Sequence, residues 1–169
     1  MLRGAAQSSP VTNDGRLCYV DGPISQRNLT MLLAKIDAVS RPGARVFVGP
    51  YDMRRDNYNE TFLYFLLPKL IPASYYMELN PLTANRADSG LARDVASADY
   101  LILDSRLDAD TENNASQRYG SDAPNQVVRQ KFKLIGRYGN WRLYAQKPGL
   151  AHYRPAAHRQ SDGQQSARF

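Results

Sequence analysis

Residues 45–55 read RVFVGPYDMRR. Val46, Phe47 and Val48 are β-branched or aromatic, and Gly49-Pro50 closes the run. That is the pattern of a buried strand entering a tight turn. Asp52, Arg54, Arg55, Asp56 and Asn57 follow at once. In an α/β sheet, ligands bind in the crevice beyond the carboxyl ends of the strands. The stretch therefore points to a fold class and to a place for a polar site, but not to a reaction.

Upstream, Leu29, Leu32, Leu33, Ile36 and Val39 fall on one face at helical spacing, with Ser25 as the predicted cap. Ile24 and Leu29 have the spacing of a hydrophobic staple, and Arg41-Pro42-Gly43 ends the helix. Downstream, Asn59 is a capping residue for a helix carrying Phe62, Leu63, Phe65, Leu66 and Leu67. That helix is apolar nearly all round, which predicts burial on more than one side, with Phe65 in the core. Residues 74–79 read as the next strand, broken by Asn80-Pro81. A short helix over 90–98 and a strand over 100–103 follow, with Asp104 at the strand's carboxyl end. After a polar stretch, Asp122 can cap a helix with Pro124 in its first turn. Residues 132–138 and 141–147 read as two strands joined by Gly139-Asn140, a two-residue hairpin turn.

Helices alternating with short apolar strands predict an α/β domain. The expected form is a mostly parallel sheet flanked by helices in Rossmann-like layers, with a C-terminal antiparallel hairpin at one edge. Segments 46–48, 76–79 and 100–103 are the expected adjacent parallel strands. Residues 1–16 read as a disordered N-terminal segment, 17–147 as a single α/β domain, and 148–169 as a disordered tail.

Composition narrows the function classes. The chain has 169 residues, 43% of them hydrophobic, enough for one cored domain with tails. Its net charge of +6 is scattered rather than blocked. That fits a solvated basic surface, or else an anionic partner such as a membrane surface or a phosphate; nucleic acid is not expected. Cys18 is the single cysteine, so an internal disulfide and a cysteine metal site are excluded. His152 and His158 both fall in the tail, which argues against a histidine triad or zinc site. There is no glycine-rich dinucleotide fingerprint and no Walker-type phosphate loop. The longest apolar run, 62–67, is far below the roughly 18 residues a membrane span needs, so the chain as written is expected to be soluble. The sequence also begins without the apolar core of a signal peptide.

Three loops hold candidate residues. Asp52, Arg54, Arg55 and Asn57 follow the first strand, and arginine forks recognise carboxylate or phosphate in a bidentate way. The alternative is that the arginines pair with Asp52, Asp56 or Glu60 and only stabilise the loop. Asn80, Asn85 and Arg86 follow the second expected strand and Asp104 ends the third, so they can face the same crevice. Arg54, Asn80 and Asp104 are expected to surround it, with an arginine contacting an anion and Asp104 accepting from a hydroxyl. Asp108 and Asp110 form an Asp-x-Asp pattern that can hold a divalent cation, a short pattern that is also common in surface loops. No residue is assigned a catalytic role, and no cofactor is expected beyond that cation.

Four segments taken in order carry a family resemblance: VGPYDMRRDNYNETFLYFLLPKLIPASYYMELNP, LARDVASADYLILD, GSDAPNQVV and FKLIGRYGNWRLY. Together they resemble the C-terminal soluble region of bacterial multi-spanning membrane proteins of the C-type glycosyltransferase fold, such as protein mannosyltransferases that use polyprenyl-phosphate sugars. The resemblance implies an accessory, extracytoplasmic, non-catalytic domain associated with cell-envelope glycosyl transfer. In that family the catalytic carboxylate lies in a loop of the membrane part, so no catalytic residue transfers to this chain. The implied partners are a membrane-embedded protein or missing membrane region and a sugar or lipid phosphate. Two rivals remain: a free-standing metal-dependent sugar transferase using Asp108 and Asp110, and a purely structural interaction module.

Overall fold

The computed structural model describes residues 8–54, 59–77, 79, 83–106 and 120–149. Ser8–Asn13 (β1) and Arg16–Asp21 (β2) form an antiparallel hairpin. Asp14 and Gly15 turn it with φ of 47° and 74°, the positive-φ pair that a two-residue Asp-Gly turn supplies. Residues 8–16, read as part of a disordered segment, thus lie in an ordered hairpin; residues 1–7 lie outside the described residues. Val11 on β1 is buried, and Cys18 and Val20 on β2 pack against the same core.

Gly22–Val39 (α1) begins three residues before the expected Ser25 cap, with Asp21 at the cap position. Pro23 fits the first turn, where its missing N–H costs nothing. Leu29, Leu32, Leu33 and Ile36 form the buried stripe. Ile24 is 77% exposed, so the expected staple does not form.

The remaining elements are Arg45–Pro50 (β3), Phe62–Leu66 (α2), Ile71–Pro72 (β4), Leu91–Ala96 (α3), Tyr100–Asp104 (β5), Ala123–Lys131 (α4), Phe132–Tyr138 (β6) and Trp141–Gln146 (β7). Five strands make the main sheet in the order β4-β3-β5-β7-β6. The pairs β3–β4 and β3–β5 are parallel, whereas β5–β7 and β6–β7 are antiparallel. The sheet is therefore mixed, which overturns the expected mostly parallel, Rossmann-like arrangement. The C-terminal hairpin lies at one edge, as expected, antiparallel to the parallel strands β4-β3-β5. Its second strand, β7, lies inside the sheet against β5 and leaves β6 at the edge.

None of the described residues 76, 77 and 79 lies in the expected strand; the parallel partner of β3 on that side is the two-residue β4. The reason lies in the edge of β3. Alternate residues face that side, and Ile71 N–H and Ala73 N–H donate to the carbonyls of Ala44 and Val46 at 2.9 and 2.8 Å. At Val48 side chains take over. Asn59 Nδ2 donates to the Val48 carbonyl at 2.8 Å, and Val48 N–H donates to the Tyr64 hydroxyl at 2.9 Å. Nothing remains on Val48 for another strand to pair with. Covering an edge in this way blocks unwanted strand addition. Asn59→Ala and Tyr64→Phe are each expected to lower stability by about 1–3 kcal/mol, the cost of stranding a buried backbone group. Equilibrium unfolding in urea measures it; losses near zero in both variants would mean that water replaces the side chains.

Two apolar clusters lie on opposite faces of the sheet. One joins Val46, Val48, Ile102 and Leu143 to α1, the β1–β2 hairpin and Leu63, Leu66, Leu67 and Leu70. The other joins Phe47, Leu101 and Leu103 to Leu91 and Val95 of α3 and Val128 of α4. The domain is thus layered with helices on both faces. Phe65, expected in the core, is instead 48% exposed, because α2 has only five residues and buries Leu63 and Leu66. Arg16 lies over its ring, 5.0 Å from the centroid. Among the described residues no helix is long and apolar enough to cross a membrane.

Candidate functional site

The ends of β3 and β5 and the start of β7 meet at one edge of the sheet. Asp104 pairs with Pro50 on one side and with Trp141 on the other, and Tyr51 N–H donates to the Asp104 carbonyl at 2.7 Å. Gly49 leaves room there for a neighbouring ring, since a Cβ on it would lie 2.6 Å from Phe47 Cε1. Polar side chains gather at this edge in two groups, one toward each face.

The first group lies on the α3/α4 side. Asp52 accepts from Arg54 Nε and Nη2 at 3.2 and 3.1 Å and from Asn125 Nδ2 at 2.7 Å. Arg54 also lies 3.4 Å from Asp122, which in turn pairs with Arg129 at 2.7 Å. Met53 N–H donates to Asn125 Oδ1 at 3.1 Å, tying the loop after β3 to the first turn of α4. Buried Asn85 donates from Nδ2 to the Met53 carbonyl, and its own carbonyl accepts from Ser121 N–H at 2.8 Å. Burial works against the charge of Asp52, yet the bonds from Arg54 and Asn125 outweigh it and hold its carboxyl below the usual range. Asp122 is held low in the same way by Arg129, Asn125 and Gln126. Beside this group the Arg142 guanidinium stacks 3.6 Å from the ring centroid of Tyr51, which is 41% exposed.

The second group lies on the α1/α2 side. Glu60 and Asp104 are within hydrogen-bond reach of one another. Glu60 also accepts from Trp141 Nε1–H and lies 2.6 Å from Arg106 Nη2. Asp104 accepts from Arg106 N–H at 2.9 Å, and its second oxygen lies 3.8 Å from Arg106 Nε. Burial first, then the charge of Asp104, pushes Glu60 up to about 7, against the pull of Trp141 and Arg106. Burial also raises Asp104.

These groups place the candidate residues. Asp52 and Arg54 come together, but as partners of each other; Asp104 joins Glu60 and Arg106 instead of Arg54. Arg86 is exposed in the loop before α3. Arg55, Asn57, Asn80, Asp108 and Asp110 lie outside the described residues. The sequence reading missed Tyr51, Asn125, Trp141 and Arg142 as site residues, and it considered Glu60 only as a counter-charge for the arginines. An acidic residue just before an apolar helix was the available signal for Glu60. Nothing local marks Trp141, which reaches it from 81 positions away.

A different feature lies at the opposite, amino edge. A shallow depression of about 220 Å³ is lined by Val39, Ser40, Arg41, Ala44, Asp99 and Tyr100. Asp99 accepts there from Arg45 N–H at 2.7 Å, and Tyr100 donates to the Val39 carbonyl at 2.6 Å.

Compared with descriptions of protein families, with curated proteins and with solved structures, the chain matches none.

Proposed function

We propose that this chain is an accessory, non-catalytic domain of a cell-envelope glycosyl-transferring membrane system, and that its carboxyl sheet edge binds the sugar of that system's substrate. The observation that carries the reading is the meeting of Tyr51, Asp104, Arg106 and Arg142 at three neighbouring strand ends. Carboxylates accept from hydroxyls and guanidinium groups donate to them, so such an edge offers both halves of hydroxyl recognition, beside an exposed aromatic ring. The charge pairing favours hydroxyls over phosphate. Arg54 is bound by Asp52 and Asp122, and Arg106 by Glu60 and Asp104, so an anion would have to displace a carboxylate from either. The non-catalytic part and the extracytoplasmic setting rest on the family resemblance of the four sequence segments.

Calorimetric titration with methyl mannoside tests the binding. A saturable signal that weakens at least about tenfold in Tyr51→Ala, or about 1.4 kcal/mol, is expected. No signal at millimolar protein and sugar would refute it. The rival metal-dependent transferase makes a separate demand: manganese should bind, and Asp108→Ala with Asp110→Ala should abolish that binding.

A further inference from the structure

Glu60 and Asp104 present an imbalance that their surroundings do not resolve with both groups charged. Their side chains are 8% and 11% exposed and, among the described residues, share one guanidinium, that of Arg106. Two carboxylates in hydrogen-bond reach cannot bond to each other, because neither has a hydrogen to donate. Like charges so close in a desolvated place do not both ionise. Glu60 Oε1 also makes no aligned hydrogen bond, although Arg106 Nη2 lies nearby. One proton on the pair resolves each of these facts: it supplies the missing donor and leaves one negative charge for one guanidinium.

Among the described residues, the groups facing Glu60 are Asp104 at the end of β5, Arg106 just after it and the Trp141 N–H on β7. Towards β3 the anchoring bonds come from Asn59 and Tyr64. Asn59 carries no ionisable group, and burial holds the Tyr64 hydroxyl up to about 12. Glu60, pushed up to about 7, is therefore the member of this set that changes charge near neutrality, beside Asp104, which burial also raises.

We propose that Glu60 and Asp104 share a single proton and act as a proton-operated latch, which ties the entry of α2 to the end of β5 and the start of β7 and lets go when the proton is lost. The proton leaves to solvent, and the second carboxylate charge then drives Glu60 away from Asp104 and out of its bond with Trp141. The latch shares Asp104 and Arg106 with the proposed sugar-binding edge but needs no ligand to operate.

Trp141 is the chain's only tryptophan, so its emission reports this bond directly. Titrating the full chain from about pH 5 to about pH 9 is expected to give a one-proton change in Trp141 emission, centred near the raised carboxyl range. The change should vanish in Glu60→Gln, which keeps the shape of the side chain but cannot ionise. Histidine is the side chain whose ordinary charge change falls in this range, and His152 and His158 are retained in that variant. A transition of the same midpoint and size in Glu60→Gln therefore overturns the proposal, as does a flat profile in the unaltered chain. A second measurement needs no variant. The chain has three glutamates, Glu60, Glu78 and Glu112, and carbon-13 NMR of their carboxyls should show one titrating at least about one pH unit above the ordinary glutamate range. Three ordinary midpoints would overturn the latch even if Glu60→Gln failed to fold.

Discussion

Phe47→Ala is expected to lower the stability of the domain by about 3–5 kcal/mol, the usual cost of removing a buried aromatic ring. Phe47 is fully buried on the middle of β3 and belongs to the cluster that joins the sheet to α3 and α4. Its ring also fills the space that Gly49 leaves open, so its loss opens a cavity that no neighbouring Cβ can close. The control is Phe65→Ala. Phe65 is half exposed and stacks on Arg16, which limits its loss to about 1 kcal/mol. Urea unfolding of the two variants side by side checks the layer assignment; the reverse order of losses would place α2, not β3, at the centre of the core.

Trp141→Ala is expected to cost a similar amount, about 3–5 kcal/mol, because Trp141 is buried in the opposite cluster. Trp141→Phe keeps most of that packing and removes only the indole N–H, so about 1–3 kcal/mol is expected. It should also change the pH profile. A carboxyl raised in the folded state keeps its proton where the unfolded chain has lost it. Its contribution is fully present below the ordinary carboxylate range and is lost as pH rises through the folded value, about 7 for Glu60. The bond from Trp141 lowers Glu60, so without it the decline should extend to higher pH. Melting curves of Trp141→Phe across that range, with the decline unmoved or shifted to lower pH, would contradict the role given to the indole.

The local patterns of the sequence were more legible than its pairings. The stripe Leu29, Leu32, Leu33, Ile36 marks α1, and the apolar run at 46–48 marks β3, because each depends on neighbours close in sequence. The parallel pairing of β3 with β5 and the β6–β7 hairpin were legible, but the balance of parallel and antiparallel strands in the whole sheet was not. Segment 76–79 has the residues of a strand, yet Asn59 and Tyr64 have taken the hydrogen bonds of Val48 that another strand beside β4 would need. The inner position of β7 depends on its pairing with β5, about forty residues earlier, and the turn Gly139-Asn140 fixes only its pairing with β6. The β1–β2 hairpin was missed because β1 reads SSPVTN, with Val11 its one strongly apolar residue, and so gave the Asp14-Gly15 turn no apolar run on its amino side. At the site, Asp52 and Arg54 were legible as a charged loop after a strand. That they neutralise one another, and that Asp104 turns to Glu60 instead, follows from contacts between distant segments that no local motif encodes.

The central claim is that the carboxyl edge of the sheet is the binding face. The competing face is the amino edge, where Ser40, Arg41 and Asp99 line the shallow depression. Backbone amide NMR during addition of methyl mannoside separates the two most directly. Shifts concentrated at Tyr51, Asp52, Asp104, Arg106, Trp141 and Arg142 are the expected result. Shifts concentrated at Ser40, Arg41, Asp99 and Tyr100, or no shifts at saturating sugar, would contradict it.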